Sequence, residues 1–273
     1  MILRKLLPHR SRIAILELHG TIGGRLKTNQ LIPLIDQVRK SSSFKGAIID
    51  IDSGGGSASA SELLYVALSK LSDTKPLVCY VRGTCASGAY LAACASHKIV
   101  ALPSSIIGSI GVISIRPVVT ELLKRIGITV HVTKTGKLKD LGAPWKTPTA
   151  DENQNIKALI EELFTNFINI VSQSRQLSIK SVQNLATGEV FTGHRSKSLG
   201  LIDNIGDLDT ALQLVADKAN IAIKPVVLKP KYSIRQKIFG QFCQSLTEQI
   251  TFGIEDQLSQ HNYRYFFPER PPN

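Results

Sequence analysis

Ser87 lies in the stretch Val81-Arg-Gly-Thr-Cys-Ala-Ser-Gly-Ala-Tyr90, where an apolar run beginning at Leu77 gives way to a second one beginning at Ala89. The first run reads as a buried strand and the second as a buried helix. Between them Gly83, Ala86, Gly88 and Ala89 are small enough for a sharp turn and for close approach of another backbone. A serine that opens a helix sits in the positive field of that helix and beside its free N–H groups. Acyl transfer needs this combination of a hydroxyl nucleophile and donors for a developing oxyanion. By themselves the residues also describe an N-capping serine at a strand–helix junction, so the rest of the chain has to decide.

Two further stretches bear on it. Ser53-Gly54-Gly55-Gly56 follows the apolar run 46–52. Consecutive glycine amides can face a carbonyl oxygen or a phosphate, and the same run also makes a plain turn. It lacks the Gly-Lys-Ser/Thr ending of a Walker loop and the GxGxxG spacing of a dinucleotide site. A nucleophilic serine also needs a base. None of the six histidines lies in a loop whose surroundings suit a catalytic base. His97 reads as the cap of the helix after Ser87, and His131 as a mid-strand residue. The better candidate is Lys139, in Thr135-Gly-Lys-Leu-Lys-Asp-Leu-Gly142. A lysine acts as a base when desolvation or neighbouring positive charge favours its neutral form, and Lys134, Lys137 and Lys146 are expected to provide such charge. The loop alone also fits a solvated basic surface. Cys85 is a second nucleophile by position and a small core residue by surroundings.

The elements that must position these groups follow a strand–turn–helix repeat. Strands are expected over 12–19, 46–52, 76–81 and 99–102, with helices over 29–40, 63–71 and 89–95. This is the pattern of a parallel sheet with crossover helices. Successive glycine-rich strand ends should then meet at the carboxyl edge of the sheet, where ligands of such sheets bind. Beyond the small-residue loop 103–111, a helix is expected over 118–126, a strand over 129–133 and a basic loop over 134–149. A long amphipathic helix follows over 151–176, then short helices over 179–185 and 193–199, a core helix over 208–219 and a strand over 226–228. Residues 1–223 read as one catalytic-sized domain. Residues 224–273 read as an extension with an amphipathic helix, apolar at every fourth position from Ile238 to Leu258, and a proline-rich tail.

Lys+Arg 33 against Asp+Glu 21 gives a net charge of +12, but the basic residues are dispersed without interleaved aromatics, which argues against nucleic acid. The four cysteines include no CxxC pair, so neither a zinc site nor a disulfide framework is indicated, and a reducing compartment is expected. No apolar run reaches the 18 residues of a membrane span, and the N-terminal apolar runs are too short for a signal-peptide core.

Taken in order, Ser53-Gly-Gly-Gly, Gly83-Thr-Cys-Ala-Ser-Gly-Ala-Tyr90, Ile107-Gly-Ser-Ile-Gly-Val112 and Gly136-Lys-Leu-Lys-Asp140 resemble the signal peptide peptidase A family. These are Ser/Lys-dyad serine proteases of the ClpP/crotonase fold, an α/β architecture of repeated strand–turn–helix units. The later run from Gly188 to Asp203 is also similar, so the likeness covers about residues 13–219. The resemblance implies Ser87 as nucleophile, Lys139 as general base and the N–H groups of Gly56 and Gly88 as oxyanion hole. It further implies Ser109 as the residue orienting the lysine, and Gly55 and Ser53 at the substrate. No metal or cofactor is implied. The expected partners are a peptide or protein substrate and further copies of the chain in a ring, with active sites between subunits and Lys139 acting on a neighbour. The expected substrates are signal-peptide remnants or unfolded peptides. Two departures stand out: Gly54 replaces the usual proline of the first turn, and the usual membrane anchor is missing, which suggests a cytoplasmic protein with peripheral membrane contact.

Three other readings share the architecture. A Clp-type Ser-His-Asp peptidase needs a histidine near 103–112, where this chain has Ser109. A crotonase-like acyl-CoA enzyme needs the oxyanion amides but not the Ser87–Lys139 pair. A protease-like scaffold needs neither; the presence of Ser87, Ser109 and Lys139 speaks against it, and Gly54 speaks weakly for it.

Overall fold

The computed structural model describes residues 11–230, so the expected helix over 238–258, the tail and Cys243 lie outside the described residues. The order of elements is β1 (Arg12–His19), α1 (Thr28–Lys40), β2 (Phe44–Ser53), α2 (Ala58–Ser72), β3 (Leu77–Ala86), α3 (Gly88–Ala93), β4 (Lys98–Ala101), β5 (Ile106–Gly108) and α4 (Thr120–Arg125). There follow α5 (Ala150–Arg175), α6 (Ile179–Leu185), β6 (Val190–Thr192), α7 (Gly193–Ser198), β7 (Asn204–Ile205), α8 (Leu208–Ala219) and β8 (Pro225–Leu228). The strands form one sheet in the order β6-β5-β3-β2-β1-β8, with β4 paired to β3 and β7 paired to β4. Every pairing is parallel except β5 with β6.

The central strands read as nearly continuous apolar runs because both of their faces are covered. On one face Ile13, Ile15, Ile48, Val78, Tyr80 and Val100 pack against Ala211, Leu212, Val215 and Ala216 of α8. The alternate residues Ala14, Leu16, Leu18, Ile49, Ile51, Cys79 and Val81 join a larger cluster with α1, α2 and α3. Burying one Leu or Ile side chain contributes about 1.5–3 kcal/mol, so these two layers dominate the fold.

β3 is the strand that builds the site. Its first half, Val78 to Val81, pairs with Lys98 to Ala101 of β4, and its second half, Thr84 to Ala86, pairs with β5. Against β2 the register jumps from Ile51↔Val81 to Ser53↔Cys85, so two extra residues are accommodated on β3. The Asp52 carboxylate accepts the Thr84 N–H at 2.9 Å and secures this bend. The bend carries the strand end, and Ser87 with it, onto the end of β2.

Residues 129–133 form no strand. The alternation of Ile126, Ile128, Val130 and Val132 is present, but all four are exposed and no strand lies alongside them. A strand without a partner leaves its backbone groups to water, and alternation alone does not hold it. Val190–Thr192 instead pairs with β5, in a place where the sequence suggested only short helices. β8 pairs with β1, so 225–228 belong to the body, which ends at Lys229. His97 does not cap α3: its Nδ1 accepts the Leu77 N–H at 3.2 Å.

The end of α5 is tied down by Arg175, which donates to Asp203 at 2.9 Å and to the Gly200 carbonyl at 2.9 Å. Burial acts to raise the Asp203 carboxyl, but hydrogen bonds from Arg175 and the Ile99 N–H, with the Arg175 charge, outweigh it and hold its pKa below the ordinary aspartate value. A lowered folded-state pKa means stability that is present above the unfolded value and lost as pH falls through the folded one. Acid titration of unfolding free energy should therefore show a loss below about pH 4 that is smaller in Asp203→Asn than in wild type.

Candidate active site

The carboxyl ends of β1, β2 and β3 are adjacent in the sheet, and the loops leaving them interlock. Gly56 forms an isolated bridge with Ile22, just beyond β1. Ile22 N–H donates to the Gly55 carbonyl at 2.8 Å, and Ser57 N–H donates to the Ile22 carbonyl at 3.0 Å. Gly55 has φ +97°, and a Cβ on it would stand 2.8 Å from the Ala86 carbonyl oxygen and 2.9 Å from the Ser87 Cβ. The β2 turn therefore lies directly against the Ala86–Ser87 segment, and only glycine fits there.

Ser87 has φ 52° and ψ −126°, and its side chain makes no capping hydrogen bond to α3. A non-glycine residue in such a conformation costs of the order of 1–3 kcal/mol and persists only where its surroundings over-determine it. Here they do. Ser87 N–H donates to the Gly108 carbonyl at 2.8 Å, Leu91 N–H donates to the Ser87 carbonyl at 3.1 Å, and Tyr90, one turn into the short helix, anchors its hydroxyl on the Leu201 carbonyl at 2.8 Å. The capping reading of Ser87 thus fails on its side chain, which is held at a strained strand-to-helix turn instead. That geometry projects a nucleophile's hydroxyl above a sheet.

A cavity of about 380 Å³ opens over Ser87. It brings together four of the residues singled out in the sequence: Gly56, Ser87, Gly88 and Ser109. Among the described residues, neither Gly56 N–H nor Gly88 N–H donates to another backbone group. The two lie close together, since a Cβ on Gly88 would be 3.7 Å from the Gly56 nitrogen. Ser109 is the second non-glycine residue of the site at positive φ, 49°, fixed by its N–H on the Glu189 carbonyl.

Three expected site residues do not line the cavity. Ser53 is buried, and its hydroxyl is occupied: it donates to the Gly20 carbonyl at 2.7 Å and accepts the Gly55 N–H at 3.1 Å. Ser53 and Gly55 hold the turn and do not line the cavity. Lys139 is exposed in the loop 134–149 and does not line the cavity either. The neighbouring lysines do not collect free positive charge around it. Lys134 pairs with Asp140, Lys137 with Asp151, and Lys146 with both Asp140 and Glu152. Lys139 is the lysine of this loop that has no carboxylate partner among the described residues.

The cavity's apolar wall is built by residues that the sequence does not mark as a site: Leu91 of α3, Val112, Ile113, and Leu163 and Phe167 of α5. The helical spacing of Leu163 and Phe167 was legible, but it signalled only a core face. Glu62 and Asn166 complete one side, with the Asn166 amide donating to Glu62 at 3.4 Å.

Cys85 is fully buried, and burial together with contact with Cys79 pushes its thiol well up, so it is no second nucleophile. Burial also pushes Cys94 up to about 11. Treatment of the native protein with a thiol reagent at neutral pH, followed by peptide mapping, should leave Cys79, Cys85 and Cys94 unmodified until denaturant is added.

The mostly parallel sheet with flanking helices, carrying a strained serine at its carboxyl edge, has the ClpP/crotonase-like architecture. The chain belongs to peptidase family S49, that of the signal peptide peptidase A proteins: the family description matches residues 69–222, which include Ser87, Ser109 and Lys139. A Methanocaldococcus jannaschii protein provisionally named as a protease, MJ0651, is 34% identical over 223 residues, covering 82% of this chain and 70% of that protein. The chloroplastic serine protease SPPA of Arabidopsis thaliana is 33% identical over 80% of this chain, which spans only 34% of its length. Protease 4 of Salmonella typhi is 31% identical over 75% of this chain, equal to 32% of its own length. Among the described residues no helix is long and apolar enough to cross a membrane.

Proposed function

We propose that the protein is a serine endopeptidase working through a Ser87–Lys139 dyad. The observation that carries this reading is the strained Ser87 beside two amides that lack backbone partners, inside one cavity. Ser87 Oγ attacks a peptide carbonyl carbon while Lys139 Nζ takes the hydroxyl proton. The carbonyl oxygen, now an oxyanion, accepts from Gly56 and Gly88 N–H. Lys139 returns the proton to the leaving amine, the C–N bond breaks and an ester remains on Ser87. Water activated by Lys139 then hydrolyses that ester. Ser109 orients the lysine. The apolar wall of Leu91, Ile113, Leu163 and Phe167 suits an apolar substrate side chain, as signal-peptide remnants and unfolded segments provide.

Lys139 reaches Ser87 from a second copy of the chain. Ile113 is 80% exposed, Ile115 83% and Leu122 56%, and Ile126, Ile128, Val130 and Val132 continue the exposed apolar run into the lysine loop. Such a run marks a surface for contact. Covered by a neighbour, it would surround Lys139 with apolar side chains and favour its neutral form. The test is complementation. Ser87→Ala and Lys139→Ala should each be inactive against fluorogenic peptides, and subunits mixed through dissociation and reassembly into a closed ring should recover up to about a quarter of wild-type activity. Recovery that never exceeds the sum of the separate variants would refute a shared site. Hydrolysis that persists in Lys139→Ala would refute the base.

The glycine at position 54 leaves this reading intact. A Cβ there meets no atom within 4 Å and its φ is not in the left-handed region. Gly54→Ala should keep peptidase activity within about twofold and raise unfolding free energy by about 0.4–1 kcal/mol, read by denaturant titration.

A further inference from the structure

The loop that carries Lys139 meets as many anions as it has other cations. Asp140, the residue next to Lys139, receives Lys134 Nζ at 2.5 Å and Lys146 Nζ at 2.9 Å on the same carboxylate oxygen. Lys146 also bonds Glu152 at 2.5 Å. Glu152 is buried and belongs to the first turn of α5, where it completes a capping box with Thr149. Lys137 reaches Asp151 of the same turn. Thus three lysines face three carboxylates across the loop and the start of α5, and Lys139 is left over.

We propose that Lys134 and Lys146 are positioning residues for Lys139: they hold the Asp140 carboxylate away from the Lys139 amine and, through Glu152, tie the base-bearing loop to α5. The proposal rests on the reading of Lys139 as the base. Its physical need is plain. Hydrogen bonds from Lys134 and Lys146 hold the Asp140 carboxyl down at about 2, so Asp140 stays an anion at any working pH. Lys146 in turn is kept cationic by Glu152 and Asp140. An anion one residue from the base would pair with the protonated amine and deprive it of its lone pair. With two lysines already on one of its oxygens, the Asp140 charge is balanced by theirs and has less to gain from the Lys139 amine. The charged groups facing this centre are Lys134, Lys137 and Lys146 from the loop and Asp151 and Glu152 from α5.

The experiment compares full-length Lys134→Met/Lys146→Met/Glu152→Gln, in which Asp140 is released, with the same variant carrying Asp140→Asn as well. Lys139 is labelled with acetic anhydride across a pH series and quantified by mass spectrometry, a readout that needs no peptidase activity. Release should move the midpoint of Lys139 labelling upward by about one unit, equal to about a tenfold loss of neutral amine at pH 7. Asp140→Asn should return it to the wild-type position. A midpoint that does not move on release, or that stays raised with Asp140→Asn, would overturn the proposal. Should either variant fail to fold, Lys134→Met with and without Asp140→Asn gives the same comparison with a smaller shift. Failure of the base reading would appear separately, as hydrolysis surviving in Lys139→Ala.

Discussion

Ser87→Gly should abolish peptide hydrolysis and leave the protein at least as stable as wild type. Both halves follow from one residue. The hydroxyl is the proposed nucleophile, and without it no acyl-enzyme forms, so kcat/KM should fall by at least about 10³-fold. At the same time φ 52° with ψ −126° is a conformation that glycine adopts freely and serine does not. Removing the side chain relieves a cost of about 1–3 kcal/mol, partly offset by the larger unfolded-state entropy of glycine. Denaturant titration should thus give an unchanged or higher midpoint, whereas Ser87→Thr, branched at Cβ, should lower it. A clear loss of stability in Ser87→Gly would mean that the serine is held for structural reasons and that its backbone carries no strain to relieve.

Gly56→Ala is expected to have the largest combined effect on fold and activity. The new Cβ would stand 2.1 Å from the Ile22 carbonyl oxygen and 2.8 Å from its nitrogen, and Gly56 has φ +153°. These are backbone atoms of a bridge, so the loop must give way. Its displacement breaks the Ile22 hydrogen bonds to Gly55 and Ser57 and moves the Gly56 N–H out of the cavity. Losing one proposed oxyanion donor should cost about 10²–10³ in kcat, and forcing a side chain into a filled space costs about 1–3 kcal/mol of stability. The effect on kcat should exceed any effect on KM, because the oxyanion exists only beyond the ground state. Gly88→Ala offers a partner measurement: its Cβ would meet the Ser61 hydroxyl oxygen at 2.0 Å, and Ser61→Ala should return part of the lost stability.

Much of this arrangement is legible in the chain. Runs such as Ile13 to Leu18 and Ala47 to Ile51 are apolar with little interruption because helices cover both sides of the strands, and that already implies a parallel sheet. A parallel sheet gathers strand ends at one edge, so Gly56 and Ser87 had to meet. The rest depends on distances that spacing does not encode. The resemblance puts Ser53 at the substrate, yet the turn folds back and occupies its hydroxyl with Gly20 and Gly55. Phe167 looks like any core position of a long helix, and only the placement of α5 beside Ser87 makes it a cavity wall. The lysines near Lys139 suggested accumulated positive charge, but Asp151 and Glu152 come from the next helix and neutralise them. Residues 129–133 carry strand alternation with no strand of the described residues to pair with, and alternation by itself does not hold a strand.

Ser87 carries the central claim. The most direct measurement is hydrolysis of a fluorogenic peptide set, varied at the residue before the scissile bond, by wild type and Ser87→Ala, with assembly checked for both. The expected result is cleavage by wild type, with preference for apolar residues, and loss of at least about 10³-fold in Ser87→Ala with assembly unchanged. Equal cleavage by both proteins would contradict it.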